Sequence, residues 1–128
     1  MPTSSKTTYL VGALLVILAL WLIVPAIAGS GNTAQAKQAW PMIESGALLI
    51  DVRTKREFDA GHLDGAINIS WDETTTLMDA IGHDKERPVV VYCRSGNRSG
   101  KAKVALDSKG YNHIFNGTGF EALKATKP

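Results

Sequence analysis

The apolar positions of this chain fall into short runs separated by mixed, helix-like segments. "ALLIDV" (Ala47–Val52) is a continuous apolar run ending in a charge, the pattern of a strand buried on both faces. "PVVVYC" (Pro88–Cys93) is the most β-branched stretch and reads as a central strand, with "GAINIS" (Gly65–Ser70) and "YNHIF" (Tyr111–Phe115) as shorter ones. Helical patterning covers Ala34–Ile43, where Pro41 is expected as a break and Gly46 as a stop. "TKRE" (Thr54–Glu57) fits a capping box at the start of a short helix. Asp72 is placed to cap a helix running to Ile81. Asn97–Lys109 reads as a helix ended by Gly110, and Phe120–Ala125 as a final short helix. Short buried strands alternating with helices predict an α/β domain with a mainly parallel sheet and helices on both faces.

The N-terminal stretch departs from this alternation. No charge occurs from Thr7 to Ala36, and Lys6 is the only one of the 14 basic residues before Lys37. Leu10–Ala28 is long enough for about 28 Å of helix, close to a hydrocarbon core. Pro25 and the A-x-A pattern of Ala26 and Ala28 instead suit a cleaved signal peptide. Two readings therefore stand: a signal peptide cut near Ala28, or an inner-membrane anchor over residues 10–28. Both place the rest of the chain outside the cytoplasmic membrane, with residues 1–28 outside the fold, 29–35 as linker and 36–128 as the domain. That domain is nearly neutral, carrying 13 basic residues against 12 acidic ones. The balance gives no electrostatic footprint for nucleic acid, and any membrane contact is confined to the N-terminal segment.

The chain has one cysteine, Cys93, which excludes an internal disulfide and a C-x-x-C redox pair. Three scattered histidines and one cysteine show no metal-ligand spacing. Cys93 ends the valine-rich strand, at the sheet edge where α/β domains bind ligands. A lone cysteine is often only a small hydrophobe. The next six residues argue otherwise. In "CRSGNRS", Ser95, Gly96 and Ser99 are small enough for the backbone N–H groups to turn inward as a nest, with Asn97 opening the next helix. Arg94 and Arg98 add positive charge. These surroundings lower a thiol's pKa and make it a nucleophile toward an anionic substrate. Four residues separate Cys93 from Arg98, one fewer than in the loop of cysteine phosphatases, which favours a single sulfur atom over a tetrahedral phosphate as the cargo.

At this point the chain resembles a single-domain rhodanese, a thiosulfate sulfurtransferase, in particular the small exported rhodaneses of bacterial envelopes. "LIDVRTKREFDAGHLDGAINI" (Leu49–Ile69), "VVVYCRSGNRSGKAKVAL" (Val89–Leu106) and "GYNHIFNGTGF" (Gly110–Phe120) carry the likeness, which runs from about Ala36 to Thr126. It implies a five-stranded, mainly parallel sheet. It also implies Cys93 as sulfur carrier, with Arg94, Ser95, Gly96, Asn97, Arg98 and Ser99 as the substrate-binding loop. Thiosulfate would be the donor and cyanide, a thiol or a protein the acceptor, with no metal or organic cofactor. Asp51 is expected to hold neighbouring loops, Arg53 and Glu57 to pair, and His62 to serve the fold rather than catalysis. Thr118 stands where the family often has the first of two glycines, and Phe120 at or near a family tryptophan. A threonine fits poorly there if the backbone has positive φ.

Two other functions use the same residues: a phosphatase-like or arsenate-reducing cysteine enzyme, and a non-catalytic persulfide carrier or partner-binding module. Three N-x-S/T sequons, at Asn68, Asn97 and Asn116, read as chance matches. Trp21 belongs to the export segment, and Trp40 and Trp71 read as packing residues.

Overall fold

A computed structural model describes residues 32–128 of the chain. The strands are β1 (Leu48–Asp51), β2 (Ile67–Asn68), β3 (Val89–Cys93) and β4 (Ile114–Gly119). Helix α1 covers residues 32–44, followed by α2 (Lys55–Ala60), α3 (Thr74–Ile81), α4 (Asn97–Ser108) and α5 (Phe120–Ala125). All pairings are parallel and the strand order is β2-β1-β3-β4. The described residues thus hold four strands where the resemblance implies five. The signal or anchor segment expected over 1–28 lies outside the described residues. Among these, no helix is long and apolar enough to cross a membrane.

The alternation along β3 builds the two faces of the core. Val89, Val91 and Cys93 pack with Ile50, Leu77, Ile81, Ala102 and Leu106 on the side of α3 and α4. Val90 and Tyr92 pack with Leu49, Ala36, Ala39, Trp40 and Leu123 on the side of α1 and α5. A strand buried on both faces must be apolar at every position, and all five residues of β3 are buried. Trp40 is a packing residue as expected, its indole N–H donating to the Leu123 carbonyl at 3.1 Å.

The chain leaves β1 for β2 on one side, then crosses over to β3 on the other. The crevice between the carboxyl ends of β1 and β3 is therefore the point where strand order reverses, where such sheets take their ligands. Asp51 ends one strand and Cys93 the other.

Several local expectations are corrected. Pro41 does not break α1, which runs on to residue 44. The carbonyl its ring frees belongs to Lys37, which is exposed and open to water. Residues 32–35, expected as linker, are helical. Asp72 does not cap α3: the cap position is Glu73, and Asp72 accepts from the Ser70 hydroxyl at 2.6 Å. The largest correction is the last strand. Residues 111–113 are irregular, and β4 runs through the glycine-rich "IFNGTG" instead. Glycine disfavours strands, but here the backbone passes too close to its neighbours for side chains. A Cβ on Gly117 would lie 3.0 Å from Val90 Cγ1, and one on Gly119 only 2.3 Å from the Arg94 carbonyl oxygen.

Candidate active site

Cys93 is the last residue of β3 and only 1% exposed. The chain then turns through Arg94, Ser95 and Gly96 into α4. Gly96 makes the turn possible. Its φ of 97° and ψ of −6° lie in the left-handed region, and a Cβ there would meet Thr118 Cα at 3.3 Å. In this conformation the Gly96 N–H points back at the cysteine and donates to Sγ at 3.0 Å. The Ser99 hydroxyl, one turn into α4, lies 3.3 Å from the same sulfur.

Burial is the largest influence on the thiol and pushes its pKa up. The Ser99 hydroxyl and the backbone amides of Ser99, Ser95 and Gly96 together outweigh it, so the net direction is down from the ordinary value of 9.0. Sequence reasoning placed Cys93, Gly96 and Ser99 in one nest, and the structure brings them together. Ser95 and Asn97 are exposed on the outside of the turn. Arg94 is exposed, its side chain without an ion pair among the described residues. It lines a cleft of about 380 Å³ with Arg53, Glu57, Gly61, Phe120 and Glu121.

Arg98 does not face the sulfur as a free cation. It forms a two-pronged ion pair with Glu57 of α2, at 2.7 and 2.9 Å. The same carboxylate closes the capping box with Thr54, as expected from "TKRE". Arg98 first, and the Thr54 amide and hydroxyl after it, hold the Glu57 pKa down at about 2 against the cost of burial. The expected Arg53–Glu57 pair does not form. Arg53 precedes the helix cap, so helical spacing does not apply to it. Its guanidinium binds the fully buried Asp51 at 2.6 Å and the Gly61 carbonyl at 2.7 Å. Asp51 thereby ties the ends of β1 and α2 together. His62 is exposed, stacked on Phe58 at 3.7 Å, with Nδ1 held 2.8 Å from the Phe58 carbonyl. It serves the local fold.

Sequence reasoning missed the role of β4. Asn116 Oδ1 accepts from the Ser99 hydroxyl at 2.7 Å and from the Thr118 amide at 2.9 Å. Its Nδ2 donates to the Gly96 carbonyl at 3.0 Å. One carboxamide thus holds the loop at its glycine and at its last residue. Thr118, buried, has φ of 74°, so the positive φ anticipated at this departure from the family is present. For a β-branched residue this is a strained backbone, costing about 1–3 kcal/mol. The only signal in the sequence was the small-residue run "NGTG", which marks close backbone approach.

The fold and the site define a class: a parallel α/β domain that holds a buried cysteine thiol against the Gly96 amide and the Ser99 hydroxyl, at the switch point of its sheet. The rhodanese-like domain model matches residues 35–126, and the chain belongs to that family. It is 37% identical over 78 residues to thiosulfate sulfurtransferase PspE of Escherichia coli strain K12, covering 61% of this chain and 75% of that protein. It is 31% identical over 91 residues to a tRNA uridine(34) hydroxylase of Yersinia enterocolitica, with 67% of this chain covered, but spans only 26% of that protein. Among solved structures, "rhodanese with anions from E. coli" superposes with a TM-score of 0.58 at 35% identity, covering 65% of this chain and 95% of that one. The human single-domain sulfurtransferase TSTD1 superposes at 0.57 with 29% identity, covering 69% and 89%.

Proposed function

We propose that this protein is a thiosulfate sulfurtransferase that carries sulfur as a persulfide on Cys93. The carrying observation is the sulfur itself, buried at the end of β3 and held by the Gly96 amide at 3.0 Å and the Ser99 hydroxyl at 3.3 Å. In the first half-reaction the Cys93 thiolate attacks the outer sulfur of thiosulfate. The S–S bond of the donor breaks, sulfite leaves with its electron pair, and an anionic outer sulfur remains on Cys93. In the second, cyanide or a thiolate attacks that outer sulfur and returns the Cys93 thiolate. The ring of loop amides lowers the energy of both anionic states, as an oxyanion hole does for oxygen. Arg94, exposed and lining the cleft, draws in the dianionic donor, and Arg98 with Glu57 holds the loop in shape. Sulfur transfer is supported by the family and by the activity named for the Escherichia coli relative. An anion-binding loop agrees with the solved Escherichia coli rhodanese, which is described with anions. The charge-free N-terminal run supports action in the periplasm.

The test is an intact-mass measurement on the full chain after incubation with thiosulfate. A gain of one sulfur is expected, about 32 Da, removed by cyanide or a reducing thiol and absent in Cys93→Ser. No gain on a thiol that still alkylates overturns small-molecule transfer. It would leave a carrier loaded by a partner protein, or turnover of a phosphate ester or arsenate, as the surviving readings.

A further inference from the structure

The Ser99 hydroxyl has one proton and two neighbours that can accept it. Sγ of Cys93 is 3.3 Å away and Oδ1 of Asn116 is 2.7 Å away. The orientation of the Asn116 carboxamide is fixed by its other bonds. Turning it over would set Nδ2 against the Thr118 N–H and Oδ1 against the Gly96 carbonyl, two clashes of like polarity. Oδ1 therefore faces Ser99, and at 2.7 Å it takes the hydroxyl proton. The Cys93 S–H then donates to Ser99 Oγ. When the thiol proton leaves to water, the sulfur becomes an acceptor only, and it is left facing a hydroxyl whose proton points elsewhere.

We propose that Asn116 is a positioning residue of this site: its Oδ1 holds the Ser99 proton while Cys93 is a thiol and yields it to Sγ when the sulfur is anionic. The exchange is a rotation of one hydroxyl, with no covalent bond made or broken. Its cost is limited because Oδ1 keeps the Thr118 amide at 2.9 Å and so is never left unpaired. The charged groups around the sulfur are Arg94 of the loop, Arg98 of α4 and Glu57 of α2, and the Asp51–Arg53 pair at the end of β1. β4 contributes no titratable side chain, so Asn116 acts through Ser99 rather than by charge.

The proposal rests on Cys93 as the working sulfur, but its test uses no sulfur donor. Failed sulfuration would leave it standing, and its own failure would leave sulfur transfer standing. Cys93 is the only cysteine, so the pH dependence of alkylation by iodoacetamide, followed by intact mass on the full chain, reports this thiol alone. Ser99→Ala should raise the alkylation midpoint by about one pH unit, a tenfold loss of thiolate below it. Asn116→Ala, which removes the competitor for the Ser99 proton, should lower the midpoint by about half a unit, roughly threefold more thiolate. In the Ser99→Ala background less than half of that fall should remain. A merely structural role would loosen the loop amides and raise the midpoint instead. A rise, no change, or a fall that persists by half or more without Ser99 overturns the proposal. If Asn116→Ala loses its fold by circular dichroism, Asn116→Asp gives the same test with opposite sign. Its carboxylate grips the Ser99 proton harder, so the midpoint rises, and Ser99→Ala should remove at least half of that rise. A larger remainder overturns the proposal.

Discussion

Replacing Glu57 by glutamine keeps the shape of the side chain and removes the charge that holds Arg98. The Glu57 pKa stands at about 2 against an ordinary 4.5, and the main cause is the Arg98 guanidinium. At about 1.36 kcal/mol per pKa unit this sets a ceiling of about 3.4 kcal/mol on the contribution to stability. The pair is partly open to solvent, with Arg98 and Glu57 side chains 27% and 29% exposed, so screening brings the expected value to about 1–2 kcal/mol. The carboxylate is the form the fold favours, which determines the sign. Its contribution is complete above about pH 4.5, declines as pH falls, and is gone below about pH 2. Urea unfolding of the wild type and Glu57→Gln should therefore differ by about 1–2 kcal/mol near neutral pH, with the gap closing steadily below about pH 4.5. Added salt should narrow it as well. A gap under about 0.3 kcal/mol near neutral pH, or one unchanged from about pH 6 to pH 3, refutes the assignment of Arg98 as the cause of the low pKa.

Two further substitutions probe the cradle. Gly119→Ala places a Cβ 2.3 Å from the Arg94 carbonyl oxygen, a backbone atom that no rotamer change can move aside, so the loop must move. A loss of about 1–3 kcal/mol in urea unfolding, together with most of the sulfurtransferase activity, is expected, and an active variant of wild-type stability contradicts the close approach. Arg94→Ala should raise KM for thiosulfate by about fivefold to tenfold with kcat nearly unchanged, and should flatten the salt dependence of kcat/KM. A fall in kcat alone would move Arg94 from donor capture to the chemical step.

Much of the α/β framework was legible because its signals are local. A strand buried on both faces has to be apolar throughout, and β1 and β3 announce themselves by that rule. The capping box at Thr54 and Glu57 closes within four residues, and the loop after Cys93 holds its glycine and small side chains in one continuous stretch. Position at the carboxyl end of the central strand then places the cysteine at the ligand-binding edge. The weaker strands were less legible: β2 is a two-residue ladder, and β4 runs through glycines that a propensity argument assigns to a loop.

By itself the sequence determined the class of domain, the place of Cys93 at the carboxyl end of the central strand and the glycine-turned loop that follows it, since each depends on residues within a few positions of one another. The tertiary structure alone decided who partners whom across the site. Glu57 meets Arg98 across 41 positions, and Asn116 reaches Ser99 across 17. In both cases the partner suggested by spacing was wrong or absent. Arg53 looked like the neighbour of Glu57, but it sits before the helix begins and turns to Asp51 instead. A charge or a carboxamide has many suitable partners in a chain of this length. Which one it meets is set by how the strands order themselves in the sheet, a property that no short stretch of sequence contains.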